Sequence, residues 1–389
     1  MKRDLGIYIH IPFCIKKCYY CDFNSFPKIK ESIIENYINA LCNEIIDSSE
    51  ILSISNIKSI YFGGGTPSYI DSKYITQILN TLKMVTNIDN GISITIEINP
   101  KTLTLKKATD YIKAGINRAS IGLQSTYDTI IKQIGRAHTY QDFKDTLEML
   151  KLVGITNISC DLMYPLPSLT VDMFKETLNT IVNNEDIKHI SIYNLEVYKD
   201  SKLSFLLDEG YLTLCNEDDE YKMRNMINDI LIKHDYINYE ISNYAKQGFE
   251  STHNLLYWNG NEYLGFGVSS SSFINNTRIT KIDDLNMYID CFKDLENLYS
   301  NNINIISDTQ DLTLEDLKKE YMILKLRLKD GVNVNDYFNR FKSDVLTDFK
   351  EAILDNVGKG LITHNTITNT IYLTSRGKEI ANLVWQSFM

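Results

Sequence analysis

The sequence predicts an α/β protein with a partial (β/α)6 barrel as its main domain and a small C-terminal α/β winged-helix-like domain. Six short β-branched apolar runs occur before Tyr198, separated by amphipathic stretches whose apolar residues recur every three or four positions. This alternation predicts parallel strands joined by helical crossovers. It ends after Glu196, too early for a closed eight-unit barrel.

The barrel elements are expected in strict alternation along the first half of the chain. We predict strands at Gly6–Pro12, Lys58–Phe62, Ser93–Asn99, Arg118–Gln124, Asn157–Tyr164 and His189–Glu196, with helices in ESIIENYINALCNEIID, YITQILNTLKMV, KKATDYIKAG, FKDTLEMLKLVG and MFKETLNTIV. Gly115 and Gly154 are expected to end two of these helices, because glycine adopts the left-handed backbone conformation without strain.

The rest of the chain predicts two further regions. Residues 1–197 are expected to form the barrel, 198–290 to extend it, and 291–389 to form the C-terminal domain. In that last region LEDLKKEYMILKLRL and DYFNRFKSDVLTDFKEAILDNVGKGL read as helices, ITHNTITNTIYLTSRG alternates like a hairpin, and IANLVWQSF reads as a closing helix. This order is typical of a winged-helix-like domain, here interpreted as a packing or docking unit because the chain is acidic.

Composition narrows the class of protein. The chain has 389 residues, 43% of them hydrophobic and 23% charged, which is typical of a folded protein. Its net charge of -10 argues against a nucleic-acid partner. No apolar run could span a bilayer and no secretory signal is visible, so we expect a cytoplasmic location, with peripheral membrane contact left open.

A cysteine motif follows the first predicted strand in IYIHIPFCIKKCYYCDFNSF. Cys14, Cys18 and Cys21 form C-x3-C-x2-C, and three thiolates on one short loop can hold three irons of a [4Fe-4S] cubane and leave the fourth open. The alternatives are a zinc site completed by His10, a redox thiol pair, or packed free cysteines. The other cysteines are expected to be buried apolar residues, namely Cys42, Cys160, Cys215 and Cys291.

This loop resembles that of the radical S-adenosylmethionine (SAM) superfamily, and YIHIPFC…CYYCDF resembles its coproporphyrinogen-oxidase-like branch. The resemblance continues through the segment HNLLYW into the C-terminal domain. It implies a [4Fe-4S] cluster on Cys14, Cys18 and Cys21, SAM on the open iron, and a partner that donates electrons.

Glycines and polar residues at predicted strand ends are candidate SAM contacts. Taken alone, YFGGGTPSYI is also compatible with a tight strand–helix turn, and a lone polar strand-end residue more often organises a loop. Several at one edge of a parallel sheet converge on one crevice. The resemblance assigns SAM binding to Tyr8, Tyr20, Gly64, Gly65, Thr66, Glu97, Gln124, Arg136 and Asp161, with Leu195 and Ser271 near the adenine.

Two members of this branch differ in function. The resemblance to the HemW family implies a haem chaperone that binds haem or a porphyrin and passes haem to an acceptor protein. The alternative is an oxygen-independent coproporphyrinogen III oxidase, and the second alternative is a radical SAM enzyme with another substrate. Phe23 occupies a position where the oxidase pattern has a fourth cysteine. His253 in HNLLYW is the candidate haem ligand, against the plainer interpretation of a structural histidine among packed aromatics.

Overall fold

The computed structural model describes residues 2–293 and 305–389. Its strands are β1 (Arg3–Ile11), β2 (Phe13–Cys14), β3 (Phe26–Pro27), β4 (Ser55–Gly64), β5 (Ser93–Ile98), β6 (Arg118–Gln124), β7 (Asn157–Tyr164), β8 (Ile187–Asn194), β9 (Ile237–Asn238), β10 (Asn243–Ala245), β11 (Glu262–Phe266), β12 (Ser271–Ile274), β13 (Thr277–Lys281), β14 (Ile306–Asp311), β15 (Val332–Asn333), β16 (Ile362–Asn365) and β17 (Thr370–Leu373).

The helices alternate with the first strands and then dominate the C-terminal region. They are α1 (Glu31–Asp47), α2 (Ser49–Ser53), α3 (Ser72–Val85), α4 (Leu105–Ala114), α5 (Asp128–Gln133), α6 (Tyr140–Val153), α7 (Val171–Val182), α8 (Lys202–Asp208), α9 (Glu217–Ile232), α10 (Thr252–Trp258), α11 (Leu285–Cys291), α12 (Leu314–Leu326), α13 (Val334–Phe341), α14 (Val345–Asp348), α15 (Lys350–Gly358), α16 (Ser375–Glu379) and α17 (Ala381–Gln386).

One large sheet forms the main body. Among the described residues it contains twelve strands in the order β14-β13-β12-β11-β1-β4-β5-β6-β7-β8-β10-β9. Strands β1 and β4 to β8 pair in parallel with one another, which confirms the predicted (β/α)6 arrangement, and β8 then pairs with β10 in the antiparallel sense. Strand β11 adds a further parallel neighbour to β1, which the hydrophobic pattern did not predict.

Burial explains why the barrel elements form where they do. Leu5, Ile7 and Ile9 on one face of β1 are fully buried, and Gly6 and His10 on its other face are buried too, as expected for a strand covered on both faces. The helices lie against the sheet through one apolar stripe each. Gly115 and Gly154 follow α4 and α6 with φ of 110° and 87°. Both glycines adopt the left-handed conformation at the helix C-cap, as predicted.

The C-terminal region has a separate hydrophobic core and a small sheet. Within the described residues this sheet has three strands in the order β15-β17-β16, and the predicted hairpin corresponds to β16 and β17. The prediction of one helix over DYFNRFKSDVLTDFKEAILDNVGKGL was wrong, because the segment forms α13, α14 and α15. Lys342 takes a left-handed backbone with φ of 54°, and the Asp344 side chain caps the next helix by accepting the Leu346 N–H.

The parallel strands end at one edge of the sheet, where the cysteine loop, the glycine turn after β4 and the polar ends of β5 to β7 come together. Ligands in α/β sheets bind at this edge. None of the helices in residues 2–293 and 305–389 has the length and hydropathy needed to cross a membrane.

Candidate functional site

The cysteine loop lies between β2 and β3 and is held to the barrel at its middle. The Tyr19 N–H donates to the Ile134 carbonyl at 3.0 Å, and the Tyr19 carbonyl accepts from the Leu203 N–H at 2.8 Å. The Tyr19 ring lies over Gly135, whose φ of 79° and lack of a side chain allow that approach. The loop is therefore fixed by the backbone of two neighbouring barrel segments.

The three cysteines of the motif have the chemistry of metal ligands without being positioned for one small ion. Cys14 is buried, Cys18 and Cys21 are half-buried, none forms a disulfide, and all three line one cavity. Burial raises the pKa of the Cys14 thiol and raises that of Cys21 to about 11, so a metal's charge would be needed to deprotonate them. Within the described residues, no three His, Cys, Asp or Glu side chains converge on a single ion. A cubane needs no such convergence, because each cysteine binds a different iron.

The zinc alternative depends on His10, and the structure disfavours it. His10 is 5% exposed, with Nδ1 paired to the Tyr8 hydroxyl at 3.1 Å and Nε2 paired to the Asn24 carbonyl at 3.3 Å. Burial lowers the pKa of His10 to about 4, which keeps the ring neutral. His10 therefore holds the end of the cysteine loop and offers no free nitrogen to a metal.

The glycine turn after β4 brings backbone close to the cysteine strand. A Cβ on Gly65 would lie 2.9 Å from the Ile11 carbonyl oxygen and from both the nitrogen and the oxygen of Phe13. The Gly65 N–H donates to Ile11 and the Thr66 N–H donates to Phe13, each at 2.9 Å. The atoms that lie closest to Gly65 are therefore backbone atoms of Ile11 and Phe13. The Thr66 hydroxyl lies 3.5 Å from the Cys14 sulfur.

Two carboxylates line the cavity wall, Glu97 from β5 and Asp161 from β7, with β6 between these strands. Burial raises the pKa of Glu97 to about 7, opposed by the hydrogen bond that the Tyr61 hydroxyl donates to it at 2.9 Å. Burial also raises the pKa of Asp161, opposed by the hydrogen bond from Ser191 and then by the charge of Arg118. Glu97 can therefore hold a proton near neutral pH, and both carboxylates would favour a cationic ligand when ionised.

Arg136 and Gln124 complete this wall. The Arg136 guanidinium donates to the Gly122 carbonyl and to the Tyr20 hydroxyl, and its Nη1 lies 3.8 Å from the Cys18 sulfur. Gln124 has φ of 72° and is 7% exposed, and its Oε1 accepts no hydrogen bond from the described residues. An unpaired buried acceptor facing a cavity is a feature that a polar ligand would satisfy.

The cavity enclosed by these groups has a volume of about 1310 Å³. It is lined by most of the residues that the resemblance assigns to cofactor binding, namely Cys14, Cys18, Cys21, Tyr20, Gly64, Gly65, Thr66, Glu97, Gln124, Arg136, Asp161 and Leu195. Two assigned residues, Tyr8 and Ser271, instead line a second cavity of about 420 Å³. We refer to these as the large cavity and the second cavity.

The HNLLYW segment forms α10, and its residues divide between different surroundings. Asn254 and Trp258, four positions apart and thus on one helical face, line the large cavity, whereas Tyr257 lines the second cavity. His253 lines neither. It is 2% exposed, with Nδ1 paired to the Ser59 hydroxyl and Nε2 paired to the Tyr257 hydroxyl, both at 2.8 Å.

His253 in this conformation is therefore a structural residue packed among aromatic rings. Its imidazole stacks on Tyr61 with centroids 5.0 Å apart and meets Tyr257 edge-on at 4.8 Å. Burial lowers the pKa of His253 to about 3. A bond from Nε2 to a metal would require the Tyr257 hydroxyl to move away first.

Sequence reasoning missed one part of the large cavity. Its far wall includes Glu240, Arg327 and Trp385, which come from the segment before β10, the residue after α12, and α17. Nothing in their local sequence marks them. Only the packing of the C-terminal region against the barrel brings them to Trp258.

Comparison with known proteins agrees with this geometry. The family model described as the radical SAM superfamily matches residues 8–181, which hold the cysteine loop, the glycine turn and the polar ends of β5 to β7. The coproporphyrinogen III oxidase HemN from Escherichia coli, a radical SAM enzyme, has a similar fold, with a TM-score of 0.85, 19% identity, and coverage of 100% of this chain and 90% of that one. Fold and site together define a radical SAM protein.

Relatives of similar length narrow the family. The chain is 33% identical over 383 residues to the heme chaperone HemW of Bacillus subtilis, covering 98% of each chain. It is 30% identical over 389 residues to the heme chaperone HemW of Lactococcus lactis, covering 100% of this chain and 98% of the relative. The chain belongs to the HemW family of the radical SAM superfamily, and membership of that superfamily implies a [4Fe-4S] cluster and SAM as its cofactors.

Proposed function

We propose that this protein is a haem chaperone that binds haem and transfers it to an acceptor protein. The observation that carries the proposal is that the relatives matching the chain from end to end are named heme chaperones. The size of the large cavity supports it. Pockets for single drug-sized ligands measure roughly 300–1,000 Å³, and a cavity of about 1310 Å³ leaves room beside SAM for a second ligand.

The residues around the cysteine loop fit the cofactors of the superfamily. Cys14, Cys18 and Cys21 would hold the cluster, which when bound supplies an electron that can cleave the sulfonium C–S bond of SAM. Glu97, once ionised, would attract the amino group of SAM. Arg136 would orient its carboxylate or ribose through a planar fork of donors.

Other residues given to SAM by resemblance would contribute shape and hydrogen bonds. Gln124 offers the unpaired Oε1 described above, and Asp161 offers a carboxylate at the neighbouring strand end. Gly64 and Thr66 would form the turn beside the amino-acid end of SAM, and Tyr20 would pack by the cluster. Tyr8 would reach SAM only through the neighbouring Gly63, since its ring lines the second cavity.

Phe23 favours the chaperone over the porphyrin oxidase. The oxidase pattern has a cysteine here, whereas this chain presents an aromatic ring that is 67% exposed and borders both cavities. A large exposed apolar side chain next to a ligand cavity suits contact with an apolar ligand or partner. The case for the oxidase rests on similarity of fold, which many functions can share.

His253 remains our proposed ligand of the haem iron, with a condition that the geometry imposes. The Tyr257 hydroxyl must release Nε2 before that nitrogen can bind iron. Removing this hydroxyl should therefore help ligation, whereas removing the imidazole should prevent it.

The test uses anaerobically reconstituted full-length protein in two assays. Titration with haemin should give a saturating Soret band, and incubation with coproporphyrinogen III, SAM and dithionite should give no protoporphyrinogen. Tyr257→Phe should strengthen the haemin-dependent band and His253→Ala should weaken or shift it. SAM-dependent decarboxylation would favour the oxidase, and a protein that binds no haemin and decarboxylates nothing would point to another substrate. A Soret band unchanged in both variants would place the iron ligand elsewhere.

A further inference from the structure

The far wall of the large cavity holds an arginine whose hydrogen-bonding capacity is largely unused. The Arg327 guanidinium lies over two indole rings, 4.2 Å from the Trp258 centroid and 5.0 Å from the Trp385 centroid. Its contact with the buried Glu240 carboxylate is an ion pair at 3.8 Å, too long for a hydrogen bond. These two ring contacts hold the guanidinium in place through cation–π attraction, and its N–H groups are the part that can bind a ligand.

Several polar atoms beside this arginine are unpaired as well. Among the described residues, no hydrogen bond is made by Arg327 Nε, by Nε1 of Trp258 or Trp385, by Glu240 Oε2 or by Asn243 Oδ1, although all of these atoms are buried. Buried polar groups in folded proteins nearly always have partners. Three of the five are N–H donors, and all five residues line the large cavity.

The other arginines at the two cavities are already engaged. Arg136 donates to the Gly122 carbonyl, and Arg224 is paired with Glu220 at 2.8 Å. In the second cavity, Arg278 uses both branches of its fork on Glu320, at 2.9 and 3.0 Å. Arg327 thus differs from these three arginines in having a buried Nε without a hydrogen-bond partner among the described residues and only a long ion pair at its Nη2.

From this arrangement we infer that Arg327, Trp258 and Trp385 form a carboxylate-binding subsite in the large cavity, which takes the propionate side chains of the bound tetrapyrrole. A planar N–H fork matches a carboxylate in a bidentate geometry, and the two indole N–H groups add neutral donors. Burial raises the pKa of Glu240, opposed by the charge of Arg327, and this shift lessens the repulsion between the Glu240 carboxyl and the ligand. The identity of the ligand rests on the proposed haem function, whereas the recognition of a carboxylate rests on these residues.

The test compares haemin with haemin dimethyl ester, in which both propionates are esterified, on full-length protein. Wild type should bind haemin about tenfold more tightly than the ester, on the scale of one charge-assisted hydrogen-bonded pair. Arg327→Gln should abolish this preference and leave ester binding unchanged. Arg278→Gln, the matched arginine of the second cavity, should retain it. Arg327→Lys keeps the positive charge but loses the planar N–H fork. If the glutamine variant fails to fold, the lysine variant replaces it and should likewise lose the preference for haemin over the ester.

The outcomes separate this inference from the proposed function. If wild type binds neither haemin nor the ester, the haem function itself fails. If wild type binds both equally, or if Arg327→Gln keeps the preference for haemin, the subsite is refuted while haem binding stands. Loss of the preference in Arg278→Gln alone would move the propionates to the second cavity and overturn the inference.

Discussion

Replacing Gly65 with alanine tests whether the glycine turn positions the cluster loop. The new methyl group would meet three backbone atoms of Ile11 and Phe13, each at 2.9 Å, which is closer than Cβ contacts in real proteins. Backbone atoms cannot rotate away, so the strand end that carries Cys14 must shift. Overpacking of this kind costs about 1–3 kcal/mol. We expect the free energy of unfolding to fall by that amount and the iron content after reconstitution to fall with it.

The assay pairs denaturant unfolding of the metal-free protein with iron and sulfide analysis of the reconstituted protein. Gly358→Ala is the matched control, because Gly358 is an exposed helix residue and a Cβ there meets nothing within 4 Å. That change should keep full iron content and add up to about 1 kcal/mol of stability, since alanine favours helix over glycine. If Gly65→Ala also retains wild-type stability and wild-type iron content, the turn does not position the cysteines and the reasoning is refuted.

Three further predictions address the cluster, Glu97 in the wall of the large cavity, and a buried ion pair in the core. Cys18→Ala should lose the brown [4Fe-4S] absorbance and most of the iron, of which we expect about four per chain in wild type. The control Cys160→Ala should keep both the absorbance and the iron. Stoichiometric zinc without iron in the wild-type protein would refute the cluster. Glu97 has its pKa raised from 4.5 to about 7, so its protonated form is favoured by folding and stability is lost as pH rises between those values. Glu97→Gln should therefore gain stability over metal-free wild type as pH rises from 4.5 to 7, with the difference constant above; a pH-independent difference in urea midpoints would contradict the assigned pKa. Lys281→Met should cost about 3–5 kcal/mol in urea unfolding by leaving buried Glu44 without its cation, and a loss below about 1 kcal/mol would mean that Tyr288 and Gly267 suffice as its partners.

The first half of the fold could be predicted from the sequence because its signals are local. The run Arg118–Gln124 and the run Asn157–Tyr164 match β6 and β7 at both ends, and ESIIENYINALCNEIID matches α1. Buried parallel strands are continuous apolar runs, and their crossover helices have one apolar face, so each element carries its own pattern.

The second half was harder because its elements depend on distant partners. Strand β11 is formed by pairing with β1, more than 250 residues earlier, as in the Leu5–Glu262 pair. Within α13 to α15, the left-handed Lys342 interrupts a pattern that otherwise reads as one helix. Neither feature has a strong local signal, and tertiary packing decides both.

The candidate site shows the same limit. Cys14, Cys18, Cys21 and the strand-end residues could be placed from spacing and resemblance, because parallel strands deliver their ends to one edge. The hydrogen bonds that occupy both nitrogens of His253 could not be predicted, because one partner, Ser59, lies 194 residues away in the sequence. Arg327 was not found at all, because its importance arises from two tryptophans that only the folded chain brings together.

Helix α10 lies between the large cavity and the second cavity, and its position there has a thermodynamic consequence. Trp258 borders both cavities, while Asn254 faces the large one and Tyr257 faces the second one. A molecule that shifts this short helix from one side changes the walls on the other side. By thermodynamic linkage, if a ligand in one cavity changes the affinity of a ligand in the other by some factor, the second ligand changes the affinity of the first by the same factor. Two ligands held on opposite sides of α10, a helix of seven residues, would in that case change each other's affinity without touching.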